Sequence, residues 1–191
     1  MTRSTETPLK VVAVNGSPSV PSKTAALVAE IVERLGRHLP LDATTLHVTD
    51  LVPFFTDTYG DPGSPIARSL AEIAAADLVV AASPIYKGSY TGLFKHVFDL
   101  LAPTALAGTP VLLVATGGSE RHTLALEHQF RPLFGFFQAE TLPLAIYAHD
   151  SEFTSYQVTG AELDSRIDKA LARALPFLSE RRRDESLVPS I

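Results

Sequence analysis

Short apolar runs alternating with longer stretches of helical spacing constrain this chain more than any other feature. Val11-Val12-Ala13-Val14, Asp77 to Ala82, Pro110 to Ala115 and Leu142 to Tyr147 are the runs. Between them apolar residues recur at helical intervals, as in Leu27, Ile31, Val32 and Leu35, or Leu93, Phe94, Val97, Leu100 and Leu101. Strands buried on both faces read as continuous apolar segments, and each needs a covering helix before the next parallel strand. The pattern predicts strands at Leu9–Val14, Leu41–Val48 (half-buried), Asp77–Ala82, Pro110–Ala115 and Leu142–Tyr147. Helices are expected at Ser22–Gly36 (ended by Gly36), Ile66–Ala76, Thr91–Leu101, Ser119–Gln138 and Ala161–Leu178. Residues 49–64, with Pro53, Gly60, Pro62 and Gly63, read as a loop. Five strands, each followed by a helix, suit a three-layer α/β/α domain. Its parallel five-stranded sheet has the order 2-1-3-4-5.

Composition narrows the class. At 191 residues the chain fits one domain, with a core over about 9–178 and a polar, frayed tail over 180–191. Hydrophobic residues make up 46%, enough for a full core, and no run approaches the roughly 20 apolar residues of a membrane helix. Met1 to Lys10 lacks the apolar middle of a signal peptide. Cysteine is absent, which excludes thiol catalysis, disulfides and cysteine-ligated metal. A cytoplasmic address is expected. The formal charge of −5 argues against non-specific nucleic-acid binding.

In doubly wound sheets ligands bind beyond the carboxyl ends of the strands, where strands one and three diverge. Three loops should converge there: Gly16–Thr24, Ser83–Tyr90 and Thr116–Arg121. The first carries Ser17, Ser19, Ser22, Lys23 and Thr24 at the start of a helix. Helix N-termini hold unpartnered N–H groups and partial positive charge, so hydroxyls and an ammonium added there suit a phosphate monoester. An ordinary N-cap at Ser22 is the alternative. Neither G-x-G-x-x-G nor G-x-x-x-x-G-K-[ST] occurs, which disfavours a dinucleotide fingerprint and a P-loop. In the second loop Gly88 and Gly92 permit close backbone approach, and Tyr86 and Tyr90 offer faces for a flat ring. In the third, Gly117-Gly118 exposes backbone N–H groups, unless it is simply a turn before an N-cap at Ser119.

The stretch Val79-Val80-Ala81-Ala82-Ser83-Pro84-Ile85-Tyr86-Lys87-Gly88-Ser89-Tyr90-Thr91-Gly92-Leu93-Phe94-Lys95 resembles the signature of NAD(P)H-dependent FMN reductases of flavodoxin-like fold. Ala115 to His122 and His128 to Leu133 resemble the subfamily that supplies reduced FMN to two-component alkanesulfonate and methanesulfonate monooxygenases, the methanesulfonate type in particular. The resemblance implies an FMN phosphate on Ser17, Ser19, Ser22, Lys23 and Thr24. It implies flavin-ring contacts from Pro84, Ile85, Tyr86 and Lys87, and from Thr116, Gly117, Gly118 and Ser119. Relatives carry arginine where this chain has Ser19 and Lys23. An ammonium grips phosphate less specifically than a guanidinium, so weaker flavin retention is expected.

The fourth helical pattern, Leu126, Phe130, Leu133 and Phe137, has Pro132 in its middle. Proline has no N–H, so the His128 carbonyl loses its i+4 donor, a defect worth about 3 kcal/mol in a free helix. A π-bulge or kink is expected. The resemblance implies that His128 sits on a π-helix at an oligomer interface, in a homodimer or homotetramer. A polar residue at a kink is the plainer reading. His38 and His47 read as surface residues, His149 and Asp150 as solvated, and His122 with His128 lacks a third metal ligand.

Hydride transfer from nicotinamide to flavin needs no protein acid or base, so the absence of a catalytic dyad is expected. The protein must hold the flavin N5 and nicotinamide C4 about 3–3.5 Å apart. Lys87 and the Gly117–Ser119 amides are candidates to stabilise charge on the reduced ring. The rival enzyme reading is a quinone or azo reductase that retains FMN; the non-enzymatic rival is a flavodoxin-like electron carrier. No G-x-S-x-G elbow supports a hydrolase.

Overall fold

The computed structural model describes residues 7–56 and 63–185, with residues 180–185 described by backbone alone. Its strands are β1 (Leu9–Asn15), β2 (Leu41–His47), β3 (Leu78–Pro84), β4 (Pro110–Gly117), β5 (Glu140–Thr141), β6 (Ile146–His149), β7 (Phe153–Thr154) and β8 (Gln157–Val158). Its helices are α1 (Lys23–Gly36), α2 (Val48–Leu51), α3 (Pro65–Ala74), α4 (Gly92–Asp99), α5 (Arg131–Phe136) and α6 (Ala161–Glu185). The main sheet runs β2-β1-β3-β4-β5, all parallel, with β6 also paired to β4. This is the expected flavodoxin-like order, with the fifth position shared by two segments.

Alternation along the central strands feeds two cores. Val12, Val14, Val79, Ala81, Leu113 and Ala115 pack with Val48, Ile73, Phe94, Phe98 and Phe134 on the face covered by α2 to α5. Val11, Ala13, Val80, Ala82, Leu112 and Val114 pack with Leu27, Ile31, Leu163, Ile167 and Leu171 on the face covered by α1 and α6. Period-two side chains on doubly covered strands make every residue of β3 and β4 buried. The ring centroids of Phe94 and Phe98 lie 4.8 Å apart in a tilted pair, and those of Phe98 and Phe134 5.0 Å apart edge to face. Each such buried ring contributes about 1.5–3 kcal/mol relative to exposure.

Several expectations are corrected. The end of α1 at Gly36 is as expected, with Arg37 capping it through its N–H to the Arg34 and Leu35 carbonyls, but other bounds shift. β2 is less buried than a half-buried strand, because it is the sheet edge and Asp42 to Thr45 face solvent. Residues 48–54 are helical (α2, then a 3-10 turn at Val52–Phe54), since Val48 and Leu51 dock under the sheet. Of the rest of that expected loop, 57–62 lie outside the described residues, as do 1–6 and the tail from 186. The backbone at 180–185 continues α6 where fraying was expected.

The fifth strand is split around Pro143, which has no N–H to donate to a ladder. Arg131 supplies donors there instead, to the Leu142 carbonyl at 3.2 Å and Thr141 Oγ1 at 2.9 Å. The hairpin β7–β8 was not expected at all. The expected helix over 119–138 becomes a 3-10 turn at Glu120–His122, a π-turn at Leu126–Phe130 and then α5. In the π-turn the Arg131 N–H reaches back five residues to the Leu126 carbonyl. Pro132 thereby falls in the first turn of α5, where a missing N–H costs nothing. Gln138, at φ 57, closes α5, with Gln138 N–H on Gly135 and Ala139 N–H on Phe134. Among the described residues, no helix is long and apolar enough to cross a membrane.

Candidate functional site

The three strand-end turns are locked together from below before they form anything above. Gly16 donates its N–H to the Ala82 carbonyl at 2.7 Å, and a Cβ on Gly16 would lie 2.7 Å from Phe94 Cβ. Only glycine lets the first loop press this closely onto α4. Thr91 caps α4 by accepting from Phe94 N–H at 3.2 Å and donates its hydroxyl to the Gly16 carbonyl at 2.6 Å. Ser83 Oγ accepts from Thr91 N–H at 3.0 Å. Thr24 and Thr116 share a buried hydroxyl–hydroxyl bond of 2.7 Å, joining the first loop to the third. Ile85 donates to the Thr116 carbonyl at 2.8 Å, so the second and third turns leave the sheet in register.

Above this base lies a crevice lined by Ser17, Ser19, Pro21, Ser22, Lys23, Thr24, Pro84, Ile85, Tyr86, Thr116, Gly117, Gly118, Asp150 and Tyr156. Loops separated by dozens of residues thus meet where the order 2-1-3-4-5 turns, as the sequence predicts. Two predicted residues stand aside. Lys87, at φ 54, and Gly88, at φ 87, form the tight turn of a two-residue hairpin closed by Tyr86 and Ser89, and Lys87 points to solvent. Ser119 caps its own turn by accepting from Arg121 N–H, and its carbonyl accepts from the Tyr147 hydroxyl at 2.6 Å. Burial pushes the Tyr147 phenol above its usual range, so it remains a protonated donor. His128 is exposed on the π-turn and lines a separate groove with Tyr90, Phe98, Pro132 and Phe136.

Five residues were missed or misread. Asn15 accepts from Ser17 N–H through Oδ1 at 3.2 Å and bonds His47 Nδ1 through Nδ2 at 2.9 Å, so His47 is a half-buried partner rather than a surface residue. His149 is not simply solvated: it caps a 3-10 turn, with Nδ1 accepting from Ser151 N–H at 3.2 Å. Asp150 places Oδ1 3.1 Å from Lys23 Nζ, and its carbonyl accepts from the same ammonium at 3.2 Å. Tyr156 reaches the crevice from the β7–β8 turn. Only Asn15, a polar residue ending an apolar run, had any local signal. His47, Asp150 and Tyr156 come in through chain-distant contacts, while His149 caps a turn of its own.

The donor set fits FMN. Ser22 caps α1 by accepting from Ala25 N–H at 3.2 Å, leaving the Lys23 and Thr24 amides at the helix start. With the Ser17, Ser19 and Ser22 hydroxyls and Lys23, which line the same crevice, these are donors of the kind that suit an anion at a helix N-terminus. Pro84, Ile85 and Tyr86 give an apolar wall beside it, and Gly117 and Gly118 give a turn without side chains.

Comparison with known proteins agrees. The family described as NADPH-dependent FMN reductase matches residues 9–153. The chain is 46% identical over 176 residues to an FMN reductase (NADPH) of Pseudomonas aeruginosa, covering 91% of this chain and 95% of that relative. It is 46% identical over 172 residues to the NADH-dependent FMN reductase SfnF of Pseudomonas fluorescens, covering 89% and 92%. An oxidoreductase structure from Corynebacterium diphtheriae superposes with a TM-score of 0.81 at 29% identity, covering 91% of this chain and 98% of that one. A match over this much of the sequence, on a fold whose strand-end turns line one phosphate-suited crevice, leaves a single assignment: the chain belongs to the family of NADPH-dependent FMN reductases.

Proposed function

We propose that this NAD(P)H-dependent FMN reductase seats the FMN phosphate on Ser17, Ser19, Ser22, Lys23 and the first amides of α1. The isoalloxazine then lies against Pro84, Ile85 and Tyr86, with its polar edge toward Thr116, Gly117 and Gly118. The observation that carries the reading is the convergence of three sequence-distant turns on one crevice whose donors suit a phosphate monoester. When bound, the flavin supplies the hydride acceptor, and the nicotinamide supplies the hydride. The chain's own part is to fix the ring by its apolar wall, to offer backbone donors at the Gly117–Gly118 turn, and to anchor the phosphate. No side chain need move a proton from carbon. Lys87 and Ser119 contribute through backbone and turn geometry in this reading.

Reduced FMN leaves for a two-component monooxygenase of the alkanesulfonate or methanesulfonate type, a role supported by the resemblance of the segments around Gly117-Gly118 and His128. The cytoplasm, where nicotinamide nucleotides are regenerated, is the proposed address. His128, exposed on the π-turn beside the 66% exposed Phe136, is proposed to lie at an interface of a homodimer or homotetramer. Sedimentation of His128→Ala, with its FMN affinity, checks this; unchanged assembly and unchanged affinity would count against it.

Steady-state oxidation of NADH and of NADPH, each with added FMN, FAD or riboflavin, tests the main reading. Turnover that depends strongly on FMN, with riboflavin poor, supports both activity and phosphate seat. Equal turnover with riboflavin contradicts the seat.

A further inference from the structure

Lys23 is the charged member of the phosphate seat, yet its ammonium is already engaged. Asp150, 127 residues away in sequence, holds it twice, by carboxylate and by carbonyl. The same carboxylate leans over the third turn, since a Cβ on Gly118 would lie 3.1 Å from Asp150 Oδ2. It therefore bridges the seat and the Gly117–Gly118 turn within the crevice wall. The pair is partly open to water, with side chains 33% and 49% exposed, so its attraction is screened and exchangeable rather than permanent.

We propose that Asp150 is a specificity-determining residue that competes with the flavin phosphate for Lys23 and sets how readily reduced FMN leaves. This rests on the reading that the FMN phosphate occupies the Ser17–Thr24 turn. An entering phosphate brings a charge of about −1.5 to −2. It must draw Lys23 from Asp150 and then sit beside a carboxylate of like charge. Both effects act on phosphorylated flavin and neither acts on riboflavin. The carboxylate thus lowers FMN affinity selectively, which suits an enzyme whose product must dissociate.

Equilibrium titration by flavin fluorescence tests this, with FMN and riboflavin each added to wild type, Asp150→Asn, Asp150→Ala and Lys23→Met. Asp150→Ala is included because an asparagine amide could itself donate to phosphate. Both Asp150 variants should tighten FMN by about tenfold, the size expected for removing one nearby charge at a partly solvated site. Riboflavin affinity should stay within about twofold, and the salt dependence of FMN binding should steepen. FMN affinity unchanged or weakened in both variants overturns the proposal, and assigns Asp150 to positioning Lys23. If Lys23→Met leaves the ratio of FMN to riboflavin affinity untouched, the phosphate reading itself falls, and the proposal with it.

Discussion

The two walls of the crevice are built by different physics. One wall is the set of turns after β1, β3 and β4. Buried bonds knit it together, Thr91 to Gly16 at 2.6 Å and Thr24 to Thr116 at 2.7 Å, and Gly16 packs directly on Phe94. The other is the segment from Asp150 to Tyr156. It offers a half-exposed carboxylate and a hairpin turn in which Ser155 and Tyr156 both take left-handed conformations, at φ 49 and 62. The first wall fixes where a ligand sits, because moving it would break buried bonds. The second adjusts how tightly the ligand is held, because its charges are screened and its turn residues are not those that geometry favours.

Gly16→Ala should break the first wall most severely. Its Cβ would meet Phe94 Cβ at 2.7 Å and the Ala82 carbonyl at 3.0 Å, neither of which can yield cheaply. A loss of about 2–3 kcal/mol in urea unfolding is expected, together with weakened FMN binding. Unchanged stability would mean that the first loop is not held down as described. Thr24→Val comes next. It strands the buried Thr116 hydroxyl, costing about 1–3 kcal/mol, and Thr24→Ser should recover most of the loss in the same unfolding measurement.

In the second wall the expected effect is smaller and opposite in sign. Replacing Ser155-Tyr156 by Asn-Gly supplies residues that accept positive φ, and should raise stability by up to about 1 kcal/mol. A clear loss in denaturant midpoint would show instead that Tyr156 packing holds the hairpin. The smallest effect lies outside both walls, on the π-turn. Hydrogen bonding from the Arg131 guanidinium, at 2.5 Å, holds the Glu127 carboxyl below its usual range. A depressed folded value stabilises above the unfolded value and is lost as pH falls through the folded one. Wild type should therefore lose more stability than Glu127→Gln between about pH 5 and 3, read from thermal unfolding across that range.

The same contrast explains what was legible in the sequence. The first wall is written locally: an apolar run, then hydroxyls, then helical spacing places Ser17 to Thr24, and Gly117-Gly118 directly follows a strand. The proline at position 132 likewise announced a defect, and the π-turn supplied it. The second wall has no local signature. His149-Asp150 reads as solvated until β6 brings it to α1, and a hairpin turn of Ser155-Tyr156 lacks the Asn-Gly that would mark it. The split fifth strand had a local signal in Pro143, but the repair did not, since Arg131 reaches carbonyls eleven and twelve residues away.

A crystal structure of the FMN complex examines the first wall's claim most directly. The phosphate should lie within hydrogen-bond distance of the Ser17 or Ser22 hydroxyl and the Lys23 and Thr24 amides, with the ring against Pro84 and Tyr86. A phosphate seated instead among Glu152, Glu162 and Arg166, or a ring turned away from the Gly117–Gly118 turn, would contradict it.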